Sequence, residues 1–267
     1  MNKQPEETIV NIENLSAYYA DRKILDDINL SINKGEIMAI MGGSGAGKST
    51  LLRLMLGLMQ PASGSINLLG QDISKLRTKA LYQLRQKIGV AFQGGALLTS
   101  LTVGDNIALP LREHTKLDEN TINIMVRMKL EMVDLSACEK MMPAELSGGM
   151  LKRVALARAV IMDPKLLFFD EPSSGLDPIT AVELDELILR LKKAMNMTIV
   201  VITHELQSAL SIADRITILS AGKAIFTGSV AETRQSKDPY IQDFLNRRVR
   251  KNTDKGDDYL HRLTNTQ

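Results

Sequence analysis

The chain has 267 residues, 44% hydrophobic and 24% charged, with a formal net charge of +2. That length and composition fit one large α/β domain, or a core with an inserted subdomain, and the near-neutral charge argues against a dedicated nucleic-acid surface. A single cysteine, Cys138, excludes a disulfide framework or a cysteine zinc site within one chain and fits a reducing compartment. Aromatic residues make up 4% and tryptophan is absent, so the core must be aliphatic, with methionine filling gaps.

Met1 to Glu7 is polar and acidic, without the basic start and apolar stretch of a signal peptide. No run of about 18 apolar residues follows, so a cytoplasmic chain is expected, reaching a membrane only through a partner. Ile9 to Tyr19 and Ile24 to Ile32 alternate polar and apolar residues, predicting antiparallel strands with one solvated face. Glu36 to Met41 reads as a buried parallel strand, and Ser49 to Met59 as a helix. Pro61, Gly64 and Gly70 punctuate a turn, a strand and a second turn. Thr78 to Gln86 predicts a helix and Ile88 to Phe92 a buried strand.

From about Thr102 the pattern changes. Ile122, Met125, Met128, Met132 and Val133 fall near helical spacing, with Asp118 as N-cap. An inserted helical subdomain is expected over about 102–162, closed by a helix from Ser147 to Met162 that stops before Pro164. Leu166 to Asp170 and Thr198 to Thr203 then predict buried strands, with a helix from Ile179 to Met195 between them. Ile216 to Leu219 and Lys223 to Thr227 predict a hairpin around Ala221-Gly222. The expected domain is 1–245, followed by a polar tail at 246–267 with Arg247, Arg248, Arg250 and Lys251 clustered. A solvated end is the ordinary reading of that tail, and docking on a partner the alternative.

Three motifs carry chemistry. Gly42-Gly43-Ser44-Gly45-Ala46-Gly47-Lys48-Ser49-Thr50 fits G-x-x-x-x-G-K-[ST] between a predicted strand and a predicted helix. Glycines let backbone N–H groups approach phosphates, Lys48 supplies a point charge for the β and γ oxygens, and the Ser49 hydroxyl suits Mg²⁺. By average residue usage the pattern arises by chance on the order of 1% of the time in such a chain. Leu166 to Asp170-Glu171 delivers two carboxylates at a strand's C-terminal edge, Asp170 for Mg²⁺ through water and Glu171 as general base. Alone it is a weak signal; after the glycine loop it is a strong one. Leu146-Ser147-Gly148-Gly149-Met150 opens a helix with a capped, glycine-rich terminus, a second phosphate-binding end or an ordinary cap.

With these motifs in order, residues 8 to 235 resemble the nucleotide-binding subunits of ABC transporters. The resemblance implies an α/β P-loop NTPase fold of the ABC ATPase type: a RecA-like core, an antiparallel β-subdomain and the inserted helical subdomain. It places Gln93 in the Q-loop, Ser174-Gly175-Leu176-Asp177 in the D-loop and His204 as the switch histidine. It implies Tyr19 stacked on adenine, with Tyr18 as fallback. It implies a head-to-tail pair of copies sandwiching two ATPs, in which Ser147, Gly148 and Gly149 serve the partner's nucleotide. His204 would contact the γ-phosphate, and Gln93 would link Mg²⁺ and water to the membrane subunits. Met150 stands where the family usually has Gln and cannot donate a hydrogen bond. Nucleotide binding is expected to survive that change.

Phe92 to Leu98, Ala108 to His114, the Met-ended signature and Ser173 to Thr180 are similar to the ATPase of Mla-type phospholipid transporters. That resemblance implies two permease subunits, a ring of lipid-binding MCE-domain proteins and a small STAS-domain protein, at the cytoplasmic face of a bacterial inner membrane. Gln93 and residues 94–112 would line the groove that receives a permease helix. Leu97, Leu98 and Leu101 fit either that contact or plain core packing, and Arg112 to His114 would otherwise read as a solvated loop. Other cargoes, such as amino acids, lipoproteins or solvents, remain alternatives, as does a soluble ABC-type ATPase. A regulatory module without turnover is disfavoured by Glu171.

Overall fold

The computed structural model describes residues 7–246, so Arg247 and the rest of the basic cluster in the expected tail lie outside the described residues. The chain divides into two units, Met1–Val230 and Ala231–Gln267.

In the first unit, β1 (Thr8–Tyr19) and β2 (Arg22–Asn33) pair antiparallel. With β4 (Ser63–Leu68) and β5 (Gln71–Asp72) they make a four-stranded sheet in the order β2-β1-β4-β5. The second sheet has the order β10-β9-β3-β8-β7-β6. Its strands are β3 (Ile37–Gly42), β6 (Ile88–Ala91), β7 (Leu166–Asp170), β8 (Thr198–Thr203), β9 (Arg215–Ser220) and β10 (Lys223–Ser229). All pairings in it are parallel except β9 with β10, which turn at Ala221 and Gly222, both at positive φ.

The parallel strands are apolar throughout because both their faces are covered. Along β7, Leu166 and Phe168 enter one core cluster with β1, β2 and α1 (Lys48–Met55). Leu167 and Phe169 enter the other, with the helical insertion. This is the period-2 alternation of a strand, and each buried phenylalanine contributes about 1.5–3 kcal/mol. The insertion comprises α3 (Val103–His114), α4 (Glu119–Met132) and α5 (Gly148–Ala159), preceded in the chain by α2 (Thr78–Arg85). Thr102, Asp118 and Ser147 cap these three helices, accepting from the amides of Asp105, Thr121 and Met150. α6 (Pro178–Met195) and α7 (Leu206–Ile212) flank β8 in sequence, and α8 (Val230–Gln235) follows β10. In the second unit α9 (Pro239–Leu245) is capped by Asp238.

Several details depart from the sequence reading. α1 ends at Met55 rather than Met59, because the chain turns at Gly57, where φ is +64°. Gly64 lies within β4 rather than in a turn. Met128 is 58% exposed, and Val126 and Leu130 carry the core face of α4 instead. Residues 112–114 form the last turn of α3, not a loop, with Arg112 bridging Asp105 and Glu119 at 2.9 Å each. The helix through Pro110 continues unbroken. α7 has no counterpart among the expected elements.

Candidate functional site

The C-terminal ends of β3, β7 and β8 lie side by side and deliver Gly42, Asp170-Glu171 and Thr203-His204 to one edge of the sheet, where open α/β sheets bind ligands. From Gly42 the chain turns through residues 43–47 into α1. Gly47 occupies the left-handed region at φ +103°, and a Cβ there would lie 2.5 Å from Leu25 Cδ2. Only glycine fits that turn. Among the described residues no side chain caps α1, and its first turn carries no acid. Its N–H groups and the positive end of its dipole are therefore left for an external anion. Lys48 Nζ donates to the carbonyls of Gly42 (2.8 Å) and Gly43 (3.2 Å), which holds the ammonium at the mouth of the loop.

Gly45, Ala46, Gly47, Lys48, Ser49 and Thr50 line a cleft of about 230 Å³ with Tyr19, Arg22 and Ile24. Tyr19 faces it, and its hydroxyl accepts from Arg53 at 2.7 Å. Tyr18 does not line it and lies instead beneath Lys23. Larger cavities occur elsewhere. The converging donors, not size, single out this one.

Asp170 is half-buried, and its carboxyl is pushed above the usual range, first by burial and then by the charge of Glu171. Lys152, Lys48 and Arg53 oppose that shift. Two crowded carboxyls offer hard oxygen donors of the kind that suits Mg²⁺, and the Ser49 hydroxyl in the cleft at Lys48 is a donor of the same kind. Among the described residues no group of three or more acidic, imidazole or thiol side chains forms a metal cage. Mg²⁺ in phosphate sites takes only one or two protein oxygens and completes its shell from phosphates and water, so such a site needs no cage of that kind.

Glu171 is buried, at φ +50°, with its amide bonded to the Ile202 carbonyl at 2.7 Å. Its Oε2 lies 2.8 Å from His204 Nδ1 and accepts from Thr203 Oγ1 at 3.4 Å. A carboxylate acceptor requires the proton on Nδ1. The other ring nitrogen, Nε2, is 3.4 Å from Glu205 Oε1.

Gln93 is exposed on the loop after β6. Its carbonyl accepts from Lys152 Nζ, which also donates to the Glu171 carbonyl at 2.9 Å. Arg158 donates to the carbonyls of Gly95 (2.6 Å) and Ala96 (2.8 Å). Fully buried Asn106 accepts from the Leu98 amide at 2.7 Å and donates to the Leu98 and Thr102 carbonyls. Phe92 and Leu98 remain exposed on this loop, while Leu97 packs partly against the core. Lys152 and Asn106 are the residues that sequence reasoning missed as organisers of the site. Only their position inside a helix hinted at it.

Ser147, Gly148, Gly149 and Asp177 do not line the cleft at Lys48. Ser147 Oγ accepts from the Met150 amide at 3.3 Å. A Cβ on Gly149 would lie 2.5 Å from Thr180 Cγ2. Asp177 caps α6, accepting from the amides of Ile179 and Thr180 at 3.1 Å each and from Thr180 Oγ1 at 2.5 Å, and these bonds hold its carboxyl below the usual range. Met150, in the first turn of α5, is partly buried against the core and offers an apolar thioether in place of an amide.

The family model described as ABC transporter matches residues 25–174. The MlaF ATP-binding protein of the intermembrane phospholipid transport system from Haemophilus influenzae is 46% identical over 239 residues, 90% of each chain. Its Escherichia coli K12 counterpart is 43% identical over 243 residues, 91% of this chain and 90% of that one. The dimeric ATP-binding cassette MJ0796, in a post-hydrolysis state with ADP and Pi, superposes with a TM-score of 0.76 at 30% identity, covering 83% of this chain and 98% of the other. A glycine loop opening an uncapped helix, two strand-end acids beside it and a match over this much of the chain together identify the protein as an ATP-binding ATPase of the ABC transporter family.

Proposed function

We propose that two copies of this chain hydrolyse Mg-ATP at a bacterial inner membrane and drive phospholipid transport between the two membranes. The observation that carries the hydrolytic reading is the buried Glu171 carboxylate. Thr203 and His204 hold it at the sheet edge from which Gly42 leads into the loop carrying Lys48.

Lys48 and the amides of Gly43 to Thr50 hold the β and γ phosphates, while Tyr19 stacks on the base. Ser49 would ligate Mg²⁺, Asp170 would hold it through water, and Gln93 would offer a further oxygen; the ion would supply charge neutralisation to the phosphate oxygens. Glu171 takes a proton from the attacking water, and His204 reaches the γ-phosphate by turning Nε2 away from Glu205. Ser147, Gly148, Gly149 and Asp177 serve the nucleotide of the second copy, and none of them lines this chain's own cleft. Loss of the γ-phosphate then releases the pair, an order–release switch.

The lipid cargo is supported by the MlaF relatives and by the exposed Phe92 and Leu98, a surface suited to a permease helix. No helix among the described residues is long and apolar enough to cross a membrane; in the proposed assembly permease subunits supply the spans. An MCE-domain lipid carrier and a small STAS-domain protein complete the proposed assembly at the cytoplasmic face. Glu171→Gln should retain ATP, accumulate as a nucleotide-bound dimer in size-exclusion chromatography and lose turnover about 10²-fold or more. Full turnover in that variant overturns the assignment. Co-purification with native membrane subunits tests the cargo: an MCE-domain protein with bound phospholipid supports it, and a periplasmic amino-acid receptor overturns it.

A further inference from the structure

Few charged side chains among the described residues are as deeply buried as Lys152, which is 7% exposed. Lys129, at 8%, pairs with the Asp163 carboxylate at 2.6 Å. Lys152 spends its ammonium on two main-chain carbonyls instead, those of Gln93 and Glu171. Burial pushes this ammonium below its usual range, against the attraction of Glu171 and Asp170. A side chain needed only to fill space would carry no such desolvation cost. The charge is kept where donors must reach two oxygens at once.

Those oxygens lie just beyond the last register pair of two neighbouring strands, Ala91 of β6 and Phe169 of β7, where the ladder no longer joins the chains and Lys152 bridges them. Lys152 lies in the helix whose first turn is Gly148-Gly149, a helix that also holds Gly95 and Ala96 through Arg158. We infer that Lys152 is a positioning residue that fastens the Gln93 loop and the Glu171 backbone to α5, so that a shift of the Ser147–Gly149 end is felt at the hydrolytic carboxylate. This rests on the reading of Glu171 as general base. Lys152 touches no reacting atom. Its effect passes through the placement of Glu171, where a displacement near 1 Å can cost up to about 10²-fold in rate.

The expected signature is a split between kcat and KM. In steady-state ATPase assays of the full-length protein, Lys152→Met should lower kcat about tenfold or more while KM for ATP stays within about twofold. Lys152→Arg, which retains donors for both carbonyls, should restore kcat to within about threefold. Hydrogen exchange should quicken at residues 93–96 in Lys152→Met and stay unchanged at residues 43–48. A Lys152→Met protein that unfolds at the normal temperature and keeps kcat within about twofold overturns the inference, as does a loss that Lys152→Arg shares in full. Should Lys152→Met fail to fold, Lys152→Gln decides: kcat below that of Lys152→Arg at equal KM supports the strut, and equal kcat overturns it. Glu171→Gln runs alongside. Turnover surviving there refutes the general-base reading, whereas turnover lost there but kept in Lys152→Met refutes only the strut.

Discussion

The glycine loop at 42–50 and the Gln93 loop both serve the same edge of the sheet, yet they are built in opposite ways. The first is self-contained: Gly47 sets the turn, Lys48 folds back on the Gly42 and Gly43 carbonyls, and α1 begins at once. The second is held from outside, by Lys152, Arg158 and Asn106, which grip its carbonyls and amides from two helices of the insertion. A locally built loop keeps its shape when its surroundings shift. A loop held by distant helices moves when they do, which suits a segment that reports on partners.

The comparison can be broken at either loop. The largest effect is expected from Gly47→Val, which forces a β-branched residue to φ +103° against Leu25. ATP affinity, measured by titration with a fluorescent ATP analogue, should fall about 100-fold or more, since the turn at Gly47 is what brings the loop into α1. Near-normal affinity would mean the loop is not self-contained. Asn106→Ala should cost about 1–3 kcal/mol by urea unfolding, because it strands the Leu98 amide, while the Leu98 and Thr102 carbonyls keep the amides of Leu101 and Asn106. ATP affinity should barely change. An equal loss of affinity would show the two loops to be coupled.

The smallest effect belongs to a residue in neither loop. Asp185 on α6 is buried, accepts from Ser208 at 2.6 Å and Ser211 at 3.2 Å on α7, and is raised above its usual range by burial. A raised carboxyl stabilises the fold when protonated, below the ordinary aspartate value of 3.8, and loses that contribution as pH climbs through its folded value. Asp185→Asn imitates the protonated form. It should therefore raise Tm near pH 7, by roughly 2–4 °C for each kcal/mol gained, with the gain vanishing towards pH 4. A gain that is flat with pH would refute the burial argument.

Legibility follows the same division. The strand, glycine loop and helix from Ile37 to Met55 could be read from the chain because each step depends on neighbouring residues. Asp170, Glu171 and His204 could be placed because buried strands announce themselves by apolar runs. Asn106 and Lys152 could not, since each looks like an ordinary polar residue on a helix until the loop it grips is folded against it. Met128 misled for a related reason: helical spacing marks a stripe of residues, while the packing of α4 against its neighbours decides which edge of the stripe is covered. Tyr19 and Tyr18 were separated only by strand pleat, which turns one to the cleft and the other beneath Lys23.

The close approach of Gly149 to Thr180 sets a limit on what can be learned by mutating this signature. The space at 149 is bounded from behind, by the start of α6, whatever lies in front of it. Any side chain added there wedges two helices apart before it meets a nucleotide. A dead Gly149 variant is thus ambiguous unless Thr180 is trimmed to glycine in the same molecule, which clears the wedge and leaves only the contact across the pair to be scored.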